Sequence, residues 1–148
     1  MMGAMAETKG ARVSLDELRT FFARDFPQST VTIVSIAEGR AVVRQEVGHA
    51  QLRPGGTVSG PVMMATADAA SYAAILTAIG IVPLAVTTSL NINFLRRPAA
   101  DKAIVSEATL MKLGKRLAVT DMKIWSEGDE DNLIAHATAT YSIPQKNV

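Results

Sequence analysis

The chain contains 148 residues, of which 48% are apolar and 20% are charged, and its formal net charge is +1. These values fit one globular domain and give no electrostatic basis for binding nucleic acid or an anionic membrane. The absence of cysteine excludes disulfides, thiolate nucleophiles and cysteine-ligated zinc sites. The two histidines, His49 and His136, lie far apart in the sequence, so we expect no metal site.

The first residues have neither the basic segment nor the apolar run of a signal peptide, which favours a cytoplasmic protein. We expect residues 1–12 to form a flexible tail and residues 13–148 to form a single domain. Ser14 and Glu17 have the spacing of a capping box, in which each side chain bonds to the backbone N–H of the other residue. An amphipathic helix is therefore predicted to begin after Ser14 and to end at Pro27.

Two strands are predicted next, because residues 31–37 and 40–47 are rich in β-branched side chains and are separated by a Glu-Gly turn. Residues 51–57 contain one proline and two glycines, which indicates a loop. The chain should therefore form a hairpin that leads through this loop into the following segment.

Residues 60–80 are rich in alanine and methionine and are apolar on nearly every face of a helix. Such a helix is buried either in a protein core or in a membrane. Asp68 lies near its middle, and a carboxylate at the centre of a bilayer costs about 2.5–3.5 kcal/mol even on lenient scales. The segment is therefore predicted to be the buried central helix of a folded domain, closed by Gly80 and Pro83.

The rest of the chain has the pattern of four long strands, over residues 85–95, 103–113, 116–125 and 133–143. Strands of about ten residues are longer than most and can curl around a cylinder. Since only one helix is apolar all round, the simplest way to bury it is to wrap the sheet around it. The predicted fold class is α+β, with a curved antiparallel sheet around a long central helix.

Ser59-Gly60-Pro61 opens the predicted central helix, and Asp68 follows nine positions after Ser59. This spacing resembles that of the PaaI-like thioesterases of the hotdog fold, whose central helix opens with His-Gly-Gly and carries an acidic residue nine positions after the histidine. Residues 86–98 are similar to the family's strand after the helix, and the Gly-Lys-Arg of residues 114–116 resembles its Gly-Arg turn. The resemblance covers residues 40–143 and implies a hotdog fold.

The same resemblance implies hydrolysis of an acyl-coenzyme A (acyl-CoA) thioester at a site shared between two subunits of a homodimer or homotetramer. Coenzyme A is then part of the substrate, and no separate cofactor is expected. Backbone N–H groups at the start of one helix would bind the thioester carbonyl. A carboxylate on the helix of the partner would act as general base or nucleophile.

Asp68 is the strongest candidate for that carboxylate, since it is the only charged residue between Arg53 and Arg96. A carboxylate in an apolar helix must be paired, protonated or open to a cleft. A carboxyl group in an apolar site suits general-base catalysis or direct attack on an acyl carbon.

The start of the central helix is the candidate oxyanion site. Ser59 is predicted to be the N-cap residue, and Pro61 fits the first turn, where its missing N–H is not needed. The backbone N–H groups of Gly60 and Val62, aided by the helix dipole, are predicted to bind the thioester oxygen.

Five other side chains are predicted to contribute to the site. Thr87 falls where members of the family carry a Ser or Thr that positions the water or the carboxylate, and Asn93 on the same strand is expected to contact the substrate. Arg53 could be a partner of the substrate carbonyl or of a carboxylate, or it could neutralise Asp68. Lys115 and Arg116, with other basic residues near strand ends, could bind the phosphates of coenzyme A.

Three departures from the family pattern favour an alternative function. Ser59 stands where the family has its histidine, Pro61 replaces the second glycine, and Arg53 replaces an asparagine six residues upstream. A hotdog module that binds an acyl or aryl ligand without cleaving it would tolerate these changes. A hotdog hydratase would need a histidine five residues after the aspartate, and position 73 is Ala.

Overall fold

The structure, a computed structural model, describes residues 10–145, and within them the chain forms two α-helices and eight β-strands. The elements are α1 (Leu15–Asp25), β1 (Thr32–Ala37), β2 (Arg40–Gln45), β3 (Leu52–Arg53), β4 (Thr57–Val58), α2 (Gly60–Ile79), β5 (Val86–Phe94), β6 (Ile104–Leu113), β7 (Leu117–Ser126) and β8 (Leu133–Ser142). The predicted helices and long strands are all present, within two residues of the expected bounds.

Six of the strands form one antiparallel sheet in the order β1-β2-β6-β7-β8-β5. The strand that follows α2 in the chain, β5, is therefore at one edge of this sheet and pairs only with β8. The short strands β3 and β4 form a separate two-stranded hairpin. This hairpin lies within residues 51–58, where the sequence predicted only a loop, because strands of two residues carry no periodic signal.

The long helix α2 packs against the inner face of the curved sheet, mainly on β2, β6 and β7. Small side chains such as Ala67, Ala70, Ala73 and Ala74 are fully buried there, so the helix lies close to the strands. By length and composition alone the helix could cross a membrane, but 67% of its most apolar 18-residue window is buried in this domain. The predicted α+β class, a curved antiparallel sheet around a central helix, is confirmed.

The first helix begins with the predicted capping box. The Glu17 N–H donates to Ser14 Oγ at 3.0 Å, and the Ser14 N–H donates to Glu17 Oε1 at 2.9 Å. Phe21 and Phe22 are buried on its inner face, and both rings contact Tyr72 of α2. The helix α1 therefore places aromatic rings beside the middle of α2.

The predicted flexible tail falls mostly on residues 1–9, which lie outside the described residues. Within the described part, the Arg12 N–H donates to Thr77 O at 2.7 Å, and Val13 is buried. The last residues before α1 are therefore bonded to the central helix.

Candidate functional site

One face of α2 is not covered by the sheet of its own chain. Pro61, Met64, Asp68 and Tyr72 follow one another at intervals of three or four residues, and all are at least partly exposed. This spacing places them on a single stripe of the helix. Asp68 is therefore presented on the open side of a helix that is otherwise buried.

The carboxylate of Asp68 is held through one of its two oxygens. Thr87 Oγ1 donates to Asp68 Oδ1 at 2.8 Å, and Tyr141 Oη donates to the same oxygen at 2.7 Å. Tyr141 Oη also lies 3.1 Å from the backbone oxygen of Asp68. In residues 10–145 no hydrogen-bond donor contacts Oδ2, so this second oxygen is left for water or substrate.

A bulge in β5 turns Thr87 toward Asp68. The pairing of β5 with β8 shifts register between Thr87 and Ser89, so Thr87 stands opposite Tyr141 while Ser89 stands opposite Thr140. Simple alternation would place Thr87 on the same face as Asn93, but the extra residue moves it to the inner face. The predicted contact between Thr87 and the carboxylate depends on this bulge.

Tyr141 is a site residue that the sequence analysis did not identify. It follows Ala135, Ala137 and Ala139 on the inner face of β8, and only 2% of it is exposed. A buried tyrosine hydroxyl needs a hydrogen-bond partner, which is the one signal in the sequence that could have indicated its role. Burial and the nearby charge of Asp68 both raise the Tyr141 pKa far above its usual value, so the hydroxyl stays a donor at neutral pH.

A cavity of about 300 Å³ opens beside Asp68. Aromatic rings form much of its wall, and two of them, Tyr72 and Tyr141, are stacked with centroids 6.0 Å apart. The Tyr72 hydroxyl is turned away from Asp68 and donates to Pro83 O at 3.0 Å. The wall includes Phe21, Phe26, Tyr72, Pro83, Val86 and Tyr141, with the polar side chains of Asp25 and Gln28.

The start of α2 offers one free backbone donor. Ser59 Oγ accepts from the Val62 N–H at 3.3 Å, and Ser59 O accepts from the Met63 N–H at 3.3 Å. Pro61 has no N–H. Of the two predicted oxyanion donors, Val62 is thus engaged by the cap, and Gly60 has an N–H without an acceptor in the described part of the chain.

Packing also favours a glycine at position 60. A Cβ atom at this position would lie 3.2 Å from Cζ of Phe94, closer than most real contacts. The absence of a side chain lets the Phe94 ring cover the start of α2. Phe94 itself is 51% exposed, so this corner of the molecule is an apolar surface.

Next to the start of α2 lies a second cavity, of about 480 Å³, with three arginines in its wall. Arg53, Arg96 and Arg97 contribute to it, and within residues 10–145 none of them has a carboxylate within 4.0 Å. Three uncompensated guanidinium groups favour an anionic ligand. Arg53 therefore lies in a basic cavity and does not pair with Asp68, one of the two roles expected from the sequence.

The predicted residues fall into two groups at opposite ends of the open face of α2 and the adjoining strand β5. Asp68 and Thr87 are in contact, whereas Gly60 lies eight residues before Asp68, about 12 Å along the helix. Asn93 is exposed at the far end of β5, about 20 Å from Thr87 along the strand. Within one chain, therefore, the carboxylate and the helix start do not meet.

Lys115 and Arg116 lie in the exposed turn between β6 and β7. Their backbone oxygens accept hydrogen bonds from the Gln145 side chain at 2.9 Å and from the Ile143 N–H at 2.8 Å. The pairings of Ser142 with both Leu117 and Val86 place this turn at the end of the sheet where β5 begins. This turn is thus near the end of β5 that contacts Asp68, away from the arginine cavity.

Comparison with known proteins identifies the family. Residues 55–132, more than half of the chain, match the sequence profile of the thioesterase superfamily. A search of curated proteins found no match. The chain is similar in structure to a candidate thioesterase from Silicibacter sp. TM1040, with 39% sequence identity, a TM-score of 0.83, and coverage of 93% of this chain and 96% of that one.

Two further solved structures are similar. A mutant of the phenylacetic acid degradation protein PaaI from Thermus thermophilus is 29% identical, with a TM-score of 0.70, and covers 80% of this chain and 98% of its own. Zebrafish thioesterase superfamily member 2 shares the fold at 23% identity, with a TM-score of 0.78, over 89% of this chain and 99% of its own. The predicted likeness to PaaI-like hotdog proteins is confirmed, and the chain belongs to the thioesterase superfamily.

Proposed function

We propose that this protein hydrolyses acyl-CoA thioesters and that the carboxylate of Asp68 drives the reaction. The observation that carries the proposal is the arrangement around Asp68. Two hydroxyl groups hold Oδ1, no donor contacts Oδ2 in the described residues, and the side chain lines a cavity with aromatic rings in its wall. This arrangement suits a carboxylate that acts on a bound substrate rather than one that only stabilises the fold.

In the general-base route, Asp68 Oδ2 takes a proton from water while the water oxygen bonds to the thioester carbon. The carbon–sulfur bond then breaks, and the proton passes from Asp68 to the departing thiolate. In the alternative route Oδ2 itself attacks the carbon, the thiolate leaves, and water opens the resulting acyl anhydride. Both routes yield a carboxylic acid and free coenzyme A, and both use the same free oxygen.

The proposed site is completed by a second copy of the chain. Apolar side chains that are unusually exposed lie on the open face of α2 and along the edge strand β5, among them Met64, Leu84, Val86, Phe94 and Leu95. An edge strand also leaves backbone N–H and C=O groups unpaired. Pairing two β5 edges about a two-fold axis would bury the exposed apolar side chains and also pair the free backbone groups of the edge strand.

This symmetry explains why the two halves of the site are apart within one chain. Strands related by a two-fold axis run antiparallel, so the start of one β5 lies beside the end of the other. Thr87 and Asp68 of one copy then approach the Asn93 end and the Gly60 N–H of the second copy. The Asp68 carboxylate and the Gly60 N–H are about 12 Å apart along α2 of one chain, but in the dimer each would face the other group on the second helix.

The arginine cavity is the proposed binding site for the phosphates of coenzyme A. In the dimer, Arg53, Arg96 and Arg97 of one copy would lie at the same end as Lys115 and Arg116 of the other. Five cations around one cleft suit a ligand that carries a diphosphate and a phosphate monoester.

The cavity beside Asp68 is the proposed acyl site. Its size, about 300 Å³, is at the lower end for ligand pockets, and four of its lining residues are aromatic. A flat ring fits such a wall by stacking, and one relative is a phenylacetic acid degradation protein. We therefore expect aryl or arylacetyl thioesters to be better substrates than long-chain ones.

The test is release of free thiol from benzoyl-, phenylacetyl-, butyryl- and palmitoyl-CoA, which has no protein background because the chain lacks cysteine. Asp68→Asn should lower kcat at least 100-fold, the lower range for loss of an acid–base group. Asp16→Asn, an exposed change on α1, is the matched control and should retain wild-type kcat.

Equal rates for wild type and Asp68→Asn would contradict the proposed role of this carboxylate. No thiol release by wild type, together with saturable binding of acyl-CoA in calorimetry, would favour the non-catalytic module instead. The presence of Ser59 and Arg53, where the family pattern has a histidine and an asparagine, favours that alternative.

A further inference from the structure

Tyr141 is one of the two side chains that donate to the proposed catalytic carboxylate in the described residues. Its hydroxyl lies 2.7 Å from Asp68 Oδ1 and 3.1 Å from Asp68 O, so it contacts both the side chain and the backbone of that residue. The residue is only 2% exposed, and its ring stacks on Tyr72 with an interplanar angle of 16°. The hydroxyl is thus held at one point by the packing of its own ring.

We infer that Tyr141 is a positioning residue for thioester hydrolysis, whose hydroxyl fixes the Asp68 carboxylate so that Oδ2 points into the acyl cavity. This inference rests on the proposed function of Asp68. A carboxylate bound through one donor can still turn about its Cβ–Cγ bond. Two donors on one oxygen, from β5 and from β8, restrict that rotation and fix the direction of the other oxygen.

The electrostatics of the site support a permanent donor at this position. Burial and the charge of Asp68 keep the Tyr141 pKa high, so the proton stays on the phenol oxygen at neutral pH. Hydrogen bonds from a hydroxyl to a carboxylate are shorter and stronger than those between neutral groups. Tyr141 does not itself exchange a proton with the substrate in this scheme.

Tyr141→Phe removes the hydroxyl and keeps the ring, its stacking on Tyr72 and its burial. A hydrogen bond to a charged group accounts for about a tenfold or greater change in an equilibrium or rate constant. We expect kcat to fall about tenfold while KM stays within twofold, because substrate binding is unchanged and only the orientation of the base is affected.

A double-mutant cycle separates positioning from a general structural role. If the hydroxyl acts through Asp68, then adding Tyr141→Phe to Asp68→Asn should not lower the residual activity further. Thr138→Val removes a hydroxyl side chain from the outer face of the same strand and controls for weakening of β8. It should keep wild-type kcat and a similar melting temperature.

The outcomes are distinct for the inference and for the proposed function. If Asp68→Asn retains activity, the proposed function fails. If Asp68→Asn is inactive but Tyr141→Phe has wild-type kcat, the function stands and the inference about Tyr141 is wrong. If Tyr141→Phe lowers the residual activity of Asp68→Asn as strongly as that of wild type, its role is structural, and the inference is also wrong.

Discussion

At the scale of single residues, the proposed chemistry depends on how one carboxylate is oriented. Thr87 supplies the donor from the strand after the helix, and it reaches Asp68 only because β5 contains a bulge. The neighbouring Thr88 has the same side chain, yet it is exposed, and its hydroxyl donates to Thr140 O at 3.1 Å. Two adjacent threonines therefore provide a natural comparison.

Thr87→Val should lower kcat for thiol release about tenfold, because it removes a hydrogen bond to a charged group while preserving side-chain shape. Thr88→Val should leave kcat within twofold of wild type. Steady-state kinetics on one aryl-CoA, with melting curves for both variants, measures the difference. Equal losses in the two variants would indicate that the bulge, and not the Thr87 hydroxyl, is what the site requires.

The sequence predicted these residues unevenly. Asp68 could be identified because a lone carboxylate in an apolar helix needs an explanation, and Thr87 because the resemblance marked its position. The contact between them could not be derived, since one extra residue in a strand reverses every side chain that follows. Tyr141 was missed because its partner lies 73 positions away in the sequence.

At the scale of elements, α2 is the part that the sequence defines best. Ser59, Pro61 and Gly80 mark its ends, and its interior has the small side chains that close packing on a sheet requires. Gly80 adopts φ 88°, a left-handed conformation that suits glycine. The hairpin β3–β4 could not be predicted in the same way, because a strand of two residues leaves no pattern.

The close packing of α2 predicts a cost for enlarging its buried face. Ala70 is fully buried, so Ala70→Leu should destabilise the fold by about 1–3 kcal/mol through overpacking. Ala23→Leu, on the exposed side of α1, adds the same atoms in open space and is the matched control. Urea unfolding compares the two, and equal stability would mean that the inner face has room that the structure does not show.

At the scale of the whole molecule, the open face of α2 and the edge of β5 are the surfaces that one chain leaves incomplete. Both carry exposed apolar side chains, they adjoin each other, and the two halves of the proposed site lie at their opposite ends. The sequence indicated self-association through its apolar helix and through the family resemblance. The location of the interface could be proposed only once the strand order was known.

Met64→Glu should convert a dimer into a monomer, because it places a charge on the exposed stripe of α2 that the second copy would bury. Val34→Glu, at a similarly exposed apolar residue of β1 on the opposite edge of the sheet, should remain dimeric. Light scattering at micromolar concentration reads the mass directly. A monomeric wild type, or a dimeric Met64→Glu, would place the interface elsewhere or remove it.

The central claim is that Asp68 of one copy works with the helix start of the other, and mixed dimers test it most directly. Asp68→Asn removes the carboxylate, and Gly60→Val crowds the free N–H with a side chain that the exposed Phe94 ring must shift to accommodate. Each variant alone should be folded, dimeric and inactive.

Co-expression of the two variants at equal levels produces half mixed dimers, and each of these contains one site with both changes and one with neither. Thiol release should therefore recover to about a quarter of the wild-type rate. If the mixed sample stays as inactive as its two parents, the carboxylate and the helix start act within a single chain, and the shared site proposed here is wrong.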